Sequence, residues 1–323
     1  MSDQRANGPH LPDDWTDHPA TARIDDWLTG GCENYEADRA LAERLVRAAP
    51  GLPDMVAINR RHRPHAVTVL ARPGDGELGI TQFLDLGCGL PSQWNRKLQR
   101  HDPALTYEAA RLVHPDARVA YVDHDPAVYA HARTELDTHP ATTAVYADIR
   151  RMDELLASPG VQRLDRSRPI AVLLHDLLPW VSDHEAQQAM ATLRAWLPDA
   201  SALSVTHACT DLAPQTLADL AACYAEAGLV YRPRLREDIQ ALLGDWSLLP
   251  PGLVPTAQWR PLPPTASRRR PRAEHSFAYA AIATAPPRRH DPPSTGTDTV
   301  VAEPPFTAAP QAARRADART DAD

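Results

Sequence analysis

Short apolar runs alternate with stretches of helical apolar spacing through the middle of this chain. The apolar runs predict strands near 81–86, 118–123, 142–147, 169–175 and 200–206. The stretches between and after them predict helices near 106–113, 126–136, 151–157, 183–196 and 213–226. Because strands that alternate with helices usually run in parallel, this order predicts an α/β fold whose mostly parallel sheet is covered on both faces.

The pattern changes on the C-terminal side of these elements. A short helix over 237–243 is followed by strands near 247–249 and 275–283, which we expect to pair as an antiparallel hairpin and to bring the sheet to seven strands. A long loop rich in proline and arginine, about 253–273, separates the two strands. The predicted main domain therefore covers 81–284.

The N-terminal part predicts a separate helical layer. Residues 19–80 have helical spacing and predict a helical extension, and Pro64 should kink or break the helix over 54–71. Residues 1–18 and 285–323 are polar and contain many prolines, alanines or threonines, so we expect both ends to be disordered.

A glycine turn after the first predicted strand is the strongest chemical signal. Phe83–Pro91 reads as a strand that ends in Asp85-Leu86, followed by Gly87-Cys88-Gly89. Glycines one residue apart let the backbone turn sharply and approach a ligand closely. A Gly-x-Gly turn also occurs without a ligand, and an Asp at a strand end is often only a helix cap. Their combination with a second acid-ending strand, Val119–Asp123, indicates a nucleoside cofactor.

The spacing favours S-adenosylmethionine over NAD. A dinucleotide motif needs a third glycine where this chain has Ser92, and a ribose-binding acid about 20 residues after the turn. Asp123 instead follows Gly89 by 34 residues. We therefore predict that Asp85, Gly87 and Gly89 face the methionine part, that Asp123 binds the ribose, and that Asp148, after the third strand, contacts the adenine.

Composition narrows the class of protein. The chain has 323 residues, 43% of them hydrophobic, and shows neither a signal-peptide pattern nor a membrane-spanning apolar run, so we expect a cytoplasmic protein without a membrane partner. Its net charge of −8 argues against nucleic-acid binding, and the Arg268–Arg272 run is interpreted as a solvated loop. The four scattered cysteines and the isolated His62-x-x-His65 predict neither disulfides nor a metal site.

The residues resemble a bacterial family of S-adenosylmethionine-dependent methyltransferases, common in high-GC Gram-positive bacteria and once described as a domain of unknown function. The resemblance covers about 19 to 283 and is most specific over Ala22–Gly31, Asn34-Tyr35 and Asp38-Arg39. Other matching segments are Asn59-Arg60, Phe83–Pro91, Pro115–Arg118, Tyr121–Asp123, Asp125-Pro126, Ala147-Asp148, Thr206–Ala208, Pro251–Pro255 and Trp259–Pro261. It implies the class I (Rossmann-like) methyltransferase fold, with S-adenosyl-L-methionine as cofactor. About ten residues around 94–104 are inserted relative to the family.

Two groups of residues are candidates for further roles. His175 and Asp176, at the end of the fourth strand, are candidate catalytic bases with His207 as second choice, although a capping or core role explains either histidine as well. Gly30-Gly31 joins two helical segments, and this N-terminal element could form a lid that brings Arg23, Asp26 or Tyr35 to the cofactor. Arg23 and Asp26 could equally form a surface pair.

The predicted function is transfer of a methyl group from S-adenosylmethionine to a small-molecule acceptor. Because this displacement can proceed without a general base, the sequence leaves open a protein that binds S-adenosylmethionine or S-adenosylhomocysteine without turnover. It specifies neither the acceptor nor the oligomeric state.

Overall fold

A computed structural model describes residue 9 and residues 11–74, 78–92, 94–95, 100–260 and 272–286. The disorder predicted for 1–8, 10 and 287–323 lies outside the described residues, as does most of the Arg268–Arg272 run. Residues 13–17 form turns ahead of the first helix.

The central sheet is mostly parallel and mixed at one side. Its strands are β1 (Gln82–Leu86), β4 (Arg118–Asp123), β5 (Thr142–Tyr146), β6 (Ala171–His175), β7 (Ala202–Ala208), β8 (Ser247–Leu248), β9 (Val254–Pro255) and β10 (Ala278–Thr284). They follow the order β5-β4-β1-β6-β7-β10-β8, with β9 also paired to β10. The first five strands in this order, from β5 through β4, β1 and β6 to β7, run parallel to one another, and β10 runs antiparallel to its neighbours. The predicted α/β fold is confirmed.

The end of the sheet agrees with the expected hairpin and adds a strand. β10 pairs with β8 through Ala283 opposite Leu248, so the predicted antiparallel pair is present. Strand β9 and a 3₁₀ turn, Thr256–Gln258, occupy the first part of the segment that was predicted as loop. A separate hairpin pairs β2 (Trp94–Asn95) with β3 (Arg100–His101) within the inserted segment.

The described residues form nine α-helices. They are α1 (Thr21–Leu28), α2 (Glu36–Ala48), α3 (Leu52–Ala71), α4 (Thr106–Arg111), α5 (Pro126–His131), α6 (Met152–Ala157), α7 (Asp183–Trp196), α8 (Pro214–Glu226) and α9 (Arg236–Leu243). A π-helical turn, Ala132–Leu136, continues α5. Side-chain hydrogen bonds set the N-terminal ends of two of these helices. The Asp125 carboxylate accepts a hydrogen bond from the Ala127 amide at the start of α5, and the Ser182 side chain caps α7.

Pro64 does not break the helix, and the kink expected as the other possibility stays a prediction. Helix α3 runs for 20 residues through Pro64. Proline removes one backbone amide from the helix ladder, but α3 is packed on several sides and many of its side chains are buried, so tertiary contacts outweigh that loss. The hydroxyl of Thr68 donates to the Pro64 carbonyl oxygen at 2.8 Å.

Alternate residues of the strands supply two cores, one on each face of the sheet. Leu84 and Leu174 belong to the core beneath α6 and α7, whereas Phe83 and Leu173 belong to the core beneath α3 and α4. A third core joins the N-terminal helices to α8; it includes Ile24, Leu41, Leu45, Met55, Leu217, Leu220 and Tyr224. The helical extension is therefore packed beside the carboxyl ends of the central strands.

Candidate active site

The glycine turn opens onto a cleft at the carboxyl ends of β1, β4 and β6. Gly87 and Gly89 have φ angles of 64° and 67°, a region that glycine adopts without strain. A Cβ on Gly87 would lie 2.7 Å from Leu177 Cδ1, whereas one on Gly89 would have no described atom within 4 Å. Gly89 therefore leaves open the space where a ligand would approach the backbone.

Asp85 places a carboxylate at the base of this cleft. Its Oδ2 accepts a 2.6 Å hydrogen bond from the Thr106 hydroxyl and lies 3.8 Å from Arg63 Nη1. Its Oδ1 is buried and has no hydrogen-bond partner within the described part of the chain. Burial raises the pKa of this carboxyl group. A buried acceptor of this kind is stabilised by a donor that a ligand supplies, and a cationic donor is favoured.

Helix α3 adds two arginines that the sequence analysis did not assign to the site. Arg63 Nη1 donates to the Cys88 carbonyl oxygen at 2.6 Å, and Arg60 Nη2 donates to that of Leu90 at 3.1 Å. These bonds fix the outer side of the glycine turn. The Nε of Arg63 is buried and lacks a partner among the residues described, so it remains a donor for an anionic ligand group.

Asp123 ties the end of β4 to the glycine turn. Its Oδ2 accepts the amide of Gly89 at 3.1 Å and its Oδ1 accepts the amide of Asp125 at 3.0 Å. Burial raises the pKa of Asp123, and these two amide bonds oppose the rise. The carboxylate is 9% exposed and lines the cleft, where each oxygen can accept a further hydrogen bond, as a ribose diol would require.

Asp148 follows β5 and lies outside the set of residues that line the cleft. Its Oδ1 accepts the amide of Arg150 at 2.9 Å and its Oδ2 accepts Arg150 Nε at 2.8 Å. Burial raises its pKa, but the bonds from Arg150 outweigh that effect and hold the pKa below its ordinary value. Its electrostatic neighbour His124 does line the cleft. The predicted adenine contact of Asp148 stays a prediction.

His175 and Asp176 both line the cleft at the end of β6. His175 Nε2 lies 2.9 Å from the Ser204 hydroxyl, and its buried Nδ1 has no partner among described residues. Asp176 has a φ of 54° and a buried Oδ1 that likewise lacks a partner in the described ranges. Burial lowers the pKa of His175 and raises that of Asp176. Burial therefore favours the neutral imidazole, and the free Oδ1 of Asp176 can accept a hydrogen bond.

His207, the second-choice base, is held in the interior. Its Nδ1 donates to the Ala208 carbonyl oxygen at 2.8 Å and its Nε2 lies 2.8 Å from Arg234 Nη1. Burial lowers the pKa of His207 to about 3. These contacts favour the core role that the sequence left open.

Helix α1 forms one wall of the cleft through Thr21, Ala22 and Asp25. Sequence reasoning did not assign Asp25, although it lies within the segment that matched the family. Burial raises its pKa to about 6, opposed by the charges of Arg60 and Arg63 on α3. The N-terminal element thus reaches the cleft through residues other than the predicted ones, and its role as a lid stays a prediction.

The structure does not place Arg23 and Tyr35 among the residues that line the cleft. Arg23 Nε donates to Asp38 Oδ2 at 2.8 Å, and both side chains are buried. Asp38 also accepts the amides of Ala20 and Tyr35, and the Tyr35 ring packs edge-on against Trp15. These contacts join α1 to α2. A role for either residue at the cofactor stays a prediction.

Asp26 organises the loop after α1. Its Oδ2 accepts the amide of Glu33 at 2.8 Å and the side-chain amide of Asn34 at 2.9 Å. A Cβ on Gly31 would lie 1.8 Å from Asp26 Oδ1, so only glycine fits there. Asp26 lines a second cavity, and Arg60 lines both this cavity and the cleft. The cofactor contact predicted for Asp26 is not tested by this geometry.

The inserted segment returns along the opposite rim of the cleft. After the β2–β3 hairpin, Pro103, Ala104 and Leu105 line the cleft just before Thr106. The Ser92 hydroxyl donates to the Pro103 carbonyl oxygen, and the Glu108 carboxylate accepts the Leu105 amide at 3.0 Å. The end of the inserted segment therefore forms part of this rim and leads directly into the helix that carries Thr106.

The cleft residues fit S-adenosylmethionine. Five carboxylates and two arginines line it; they are Asp25, Asp85, Asp123, Asp125, Asp176, Arg60 and Arg63. This excess of negative charge suits a ligand whose sulfonium and ammonium outweigh one carboxylate. Asp85 Oδ1 would accept from the ammonium, Arg63 Nε would donate to the carboxylate, and Asp123 would accept from the ribose. Gly89 leaves room for the chain that links them.

The described residues contain neither a membrane-spanning helix nor a metal-binding group of side chains. No helix in the described ranges has the length and apolar character needed to cross a membrane. Over the same ranges there is no group of three or more histidine, cysteine, aspartate or glutamate side chains that could hold a metal ion. His62 instead packs edge-on against Trp259, with ring centroids 4.9 Å apart.

Comparisons with known proteins identify the family. Residues 12–286 match the family model described as S-adenosyl methyltransferase. A putative methyltransferase from Thermobifida fusca is 36% identical, with a TM-score of 0.73 over 84% of this chain and 96% of that one. A duf574 family protein from Streptomyces avermitilis is 31% identical, with a TM-score of 0.74 over 84% of this chain and 99% of that one. No curated protein sequence matches the chain.

These findings confirm the resemblance, the class I methyltransferase fold and the S-adenosylmethionine cofactor. The cofactor assignment rests on three features of this chain, namely the glycine turn, the acid at the end of β4 and the carboxylate at the base of the cleft. The chain belongs to the S-adenosyl methyltransferase family.

Proposed function

We propose that the protein transfers the methyl group of S-adenosylmethionine to a small-molecule acceptor that binds between α1, the loop after β6 and the rim formed by 103–105. The observation that carries this proposal is the position of His175 and Asp176. Both line the cleft beside the glycine turn, and each has a buried polar atom, Nδ1 of His175 and Oδ1 of Asp176, without a partner in the described part of the protein. An acceptor molecule would supply the missing partners.

The roles of the residues follow from their contacts. In this proposal Asp85 and Arg63 hold the aminoacyl group and Asp123 holds the ribose. The adenine contact of Asp148 rests on the sequence prediction, since its carboxylate is bonded to Arg150. When bound, the cofactor supplies an electrophilic methyl group on a sulfonium. The protein aligns the acceptor with that methyl group, excludes water and accepts a proton from the acceptor.

The roof of the cleft supports a small acceptor. Thr21, Ala22 and Asp25 of α1 cover one side, and Pro103, Ala104 and Leu105 cover the other. A folded macromolecule would have to displace both. The net charge of −8 also disfavours nucleic acid as the acceptor.

The test uses methyl-labelled S-adenosylmethionine and a whole actinobacterial extract, which is separated by ultrafiltration after the reaction into small-molecule and macromolecular fractions. The proposal expects label in the small-molecule fraction, with matching release of S-adenosylhomocysteine. Label only in the macromolecular fraction would contradict the small acceptor. Binding of S-adenosylhomocysteine with no transfer to either fraction would favour the non-catalytic alternative.

A further inference from the structure

Two carboxylates from different elements face the part of the cleft assigned to the acceptor. Asp25 comes from α1 and Asp176 follows β6, and both line the cleft. We propose that the methyl acceptor is a primary or secondary amine, which binds as its cation between Asp25 and Asp176 and is deprotonated there. This inference rests on the proposed function and specifies its substrate class.

The backbone at Asp176 supports a functional placement. Its φ of 54° lies in the left-handed region, which residues other than glycine rarely adopt. The amide of Asp176 is fixed by a 3.0 Å bond to the Thr206 carbonyl oxygen. This conformation leaves Asp176 Oδ1 buried with no described partner. The uncommon backbone conformation and the unpartnered Oδ1 of Asp176 together indicate that a ligand group binds at this oxygen.

The charges around the two carboxylates favour a cation. Asp25 raises the pKa of Asp176 further, beyond the effect of burial, so the two groups repel each other when ionised. Arg60 and Arg63 face Asp25 from α3, and Asp26 faces it from α1. The Arg60 guanidinium itself donates to Thr29 Oγ1 at 2.9 Å and to the Leu90 carbonyl oxygen. An ammonium placed between the carboxylates would remove their repulsion.

An aromatic group stands behind the carboxylates. Trp180 lines the cleft and contacts Tyr224 and Tyr231, with ring centroids 5.0 and 4.8 Å away. Burial raises the pKa of both tyrosines, and Asp25 and Asp176 raise it further, which shows that the carboxylates lie within electrostatic reach of these rings. Aromatic faces attract an ammonium group and the apolar chain that carries it.

His175 supplies a third acceptor. It is 6% exposed, it lines the cleft, and no described residue donates to or accepts from its Nδ1. Burial keeps its pKa well below the ordinary value, so the imidazole is neutral. The two carboxylates accept hydrogen bonds, and His175 Nδ1 accepts one more in the tautomer whose Nε2 donates to Ser204. A primary ammonium donates three N–H groups, whereas a hydroxyl donates one and would leave two acceptors without partners.

The proposed step balances in protons and electrons. The ammonium gives one proton to a carboxylate, which leaves a neutral amine with a lone pair. That lone pair forms the new nitrogen–carbon bond as the carbon–sulfur bond breaks, and the electrons of the broken bond stay on sulfur. The methylated nitrogen is again cationic, and the product leaves as an ammonium while the carboxylic acid returns its proton to water.

The test is calorimetry with a matched pair of probes on the full chain saturated with S-adenosylhomocysteine. Phenethylamine should bind at least about tenfold more tightly than 2-phenylethanol. Asp176→Asn should abolish that preference, because asparagine tolerates the same backbone conformation but loses the charge. Asp25→Asn tests the second carboxylate, and Asp165→Asn, at an exposed position that does not line the cleft, is the matched control.

The outcomes separate this inference from the proposed function. Equal affinity of the two probes, or no binding of phenethylamine, would overturn the amine assignment. A preference for the amine that survives both Asp176→Asn and Asp25→Asn would also overturn it. Failure to bind S-adenosylhomocysteine would contradict the proposed function instead. If one variant does not fold, the other still decides the result.

Discussion

Replacing Asp85 by asparagine should separate recognition of the aminoacyl group from recognition of the nucleoside. Asp85 is fully buried, and its Oδ2 is already bonded to the Thr106 hydroxyl at 2.6 Å. Its Oδ1 is therefore the atom assigned to the ammonium of the cofactor. In Asp85→Asn the oxygen can keep the Thr106 bond, which turns an NH₂ group toward the ammonium and removes the negative charge.

The expected loss follows from the kind of hydrogen bond that is removed. A hydrogen bond to a charged group contributes about 1.5–3 kcal/mol, which corresponds to a loss of about 10- to 150-fold in affinity. Arg63, which lies 3.8 Å from Asp85, loses its counter-charge in the variant. That change should strengthen the attraction of Arg63 for the ligand carboxylate and place the result toward the lower end of the range.

The assay is calorimetric titration with S-adenosylhomocysteine and with 5′-methylthioadenosine, which lacks the aminoacyl group. Asp85→Asn should weaken the first ligand by about 10- to 150-fold and change the second by less than about threefold. Thr106→Val, which removes the bond to Oδ2 but keeps the charge, is the matched control and should affect S-adenosylhomocysteine much less. Equal losses for both ligands, or none for either, would refute the assignment of Oδ1.

Three further predictions use other parts of the structure. Gly89→Ala should prevent S-adenosylhomocysteine binding, while Gly228→Ala, with a similar φ of 76° but outside the cleft, should cost about 1 kcal/mol of stability and leave calorimetric affinity unchanged. Since burial raises the pKa of Asp25 to about 6, the folded state should lose stability as pH rises from about 4 to 7, and Asp25→Asn should remove that loss. Allowing for partial exposure, urea unfolding near pH 8 should find the variant about 1–2 kcal/mol more stable; equal pH profiles would contradict this. Arg23→Met should destabilise the protein by about 3–5 kcal/mol in urea unfolding, because Asp38 is left buried without its cation; an unchanged affinity of the folded variant for S-adenosylhomocysteine would contradict the predicted cofactor contact of Arg23.

The sequence predicted the sheet and its glycine turn because both depend on local patterns. Continuous apolar runs mark the buried parallel strands, and Gly87 and Gly89 mark a turn with positive φ. Asp123 was found because the carboxyl ends of neighbouring parallel strands lie at one edge of the sheet. Its role in holding the Gly89 amide could not be predicted, because that bond joins residues 34 positions apart.

The rest of the site depends on how separate helices pack. Asp25 and Arg63 reach the cleft because α1 and α3 are folded against the end of the sheet, and neither residue has a local pattern that predicts this. Asp148 follows the same strand-end rule as Asp123, but Arg150 two residues later holds its carboxylate. Arg23 lies in the segment that resembles the family, and in the structure it forms a buried ion pair with Asp38.

The crystal structure of the complex with S-adenosylhomocysteine tests the central claim most directly. The account predicts the ligand ammonium at Asp85 Oδ1, the ligand carboxylate at Arg63 and the ribose hydroxyls at Asp123, with sulfur directed toward His175 and Asp176. A ligand bound in another cavity, or one in this cleft with its aminoacyl group away from Asp85 and Arg63, would contradict the account.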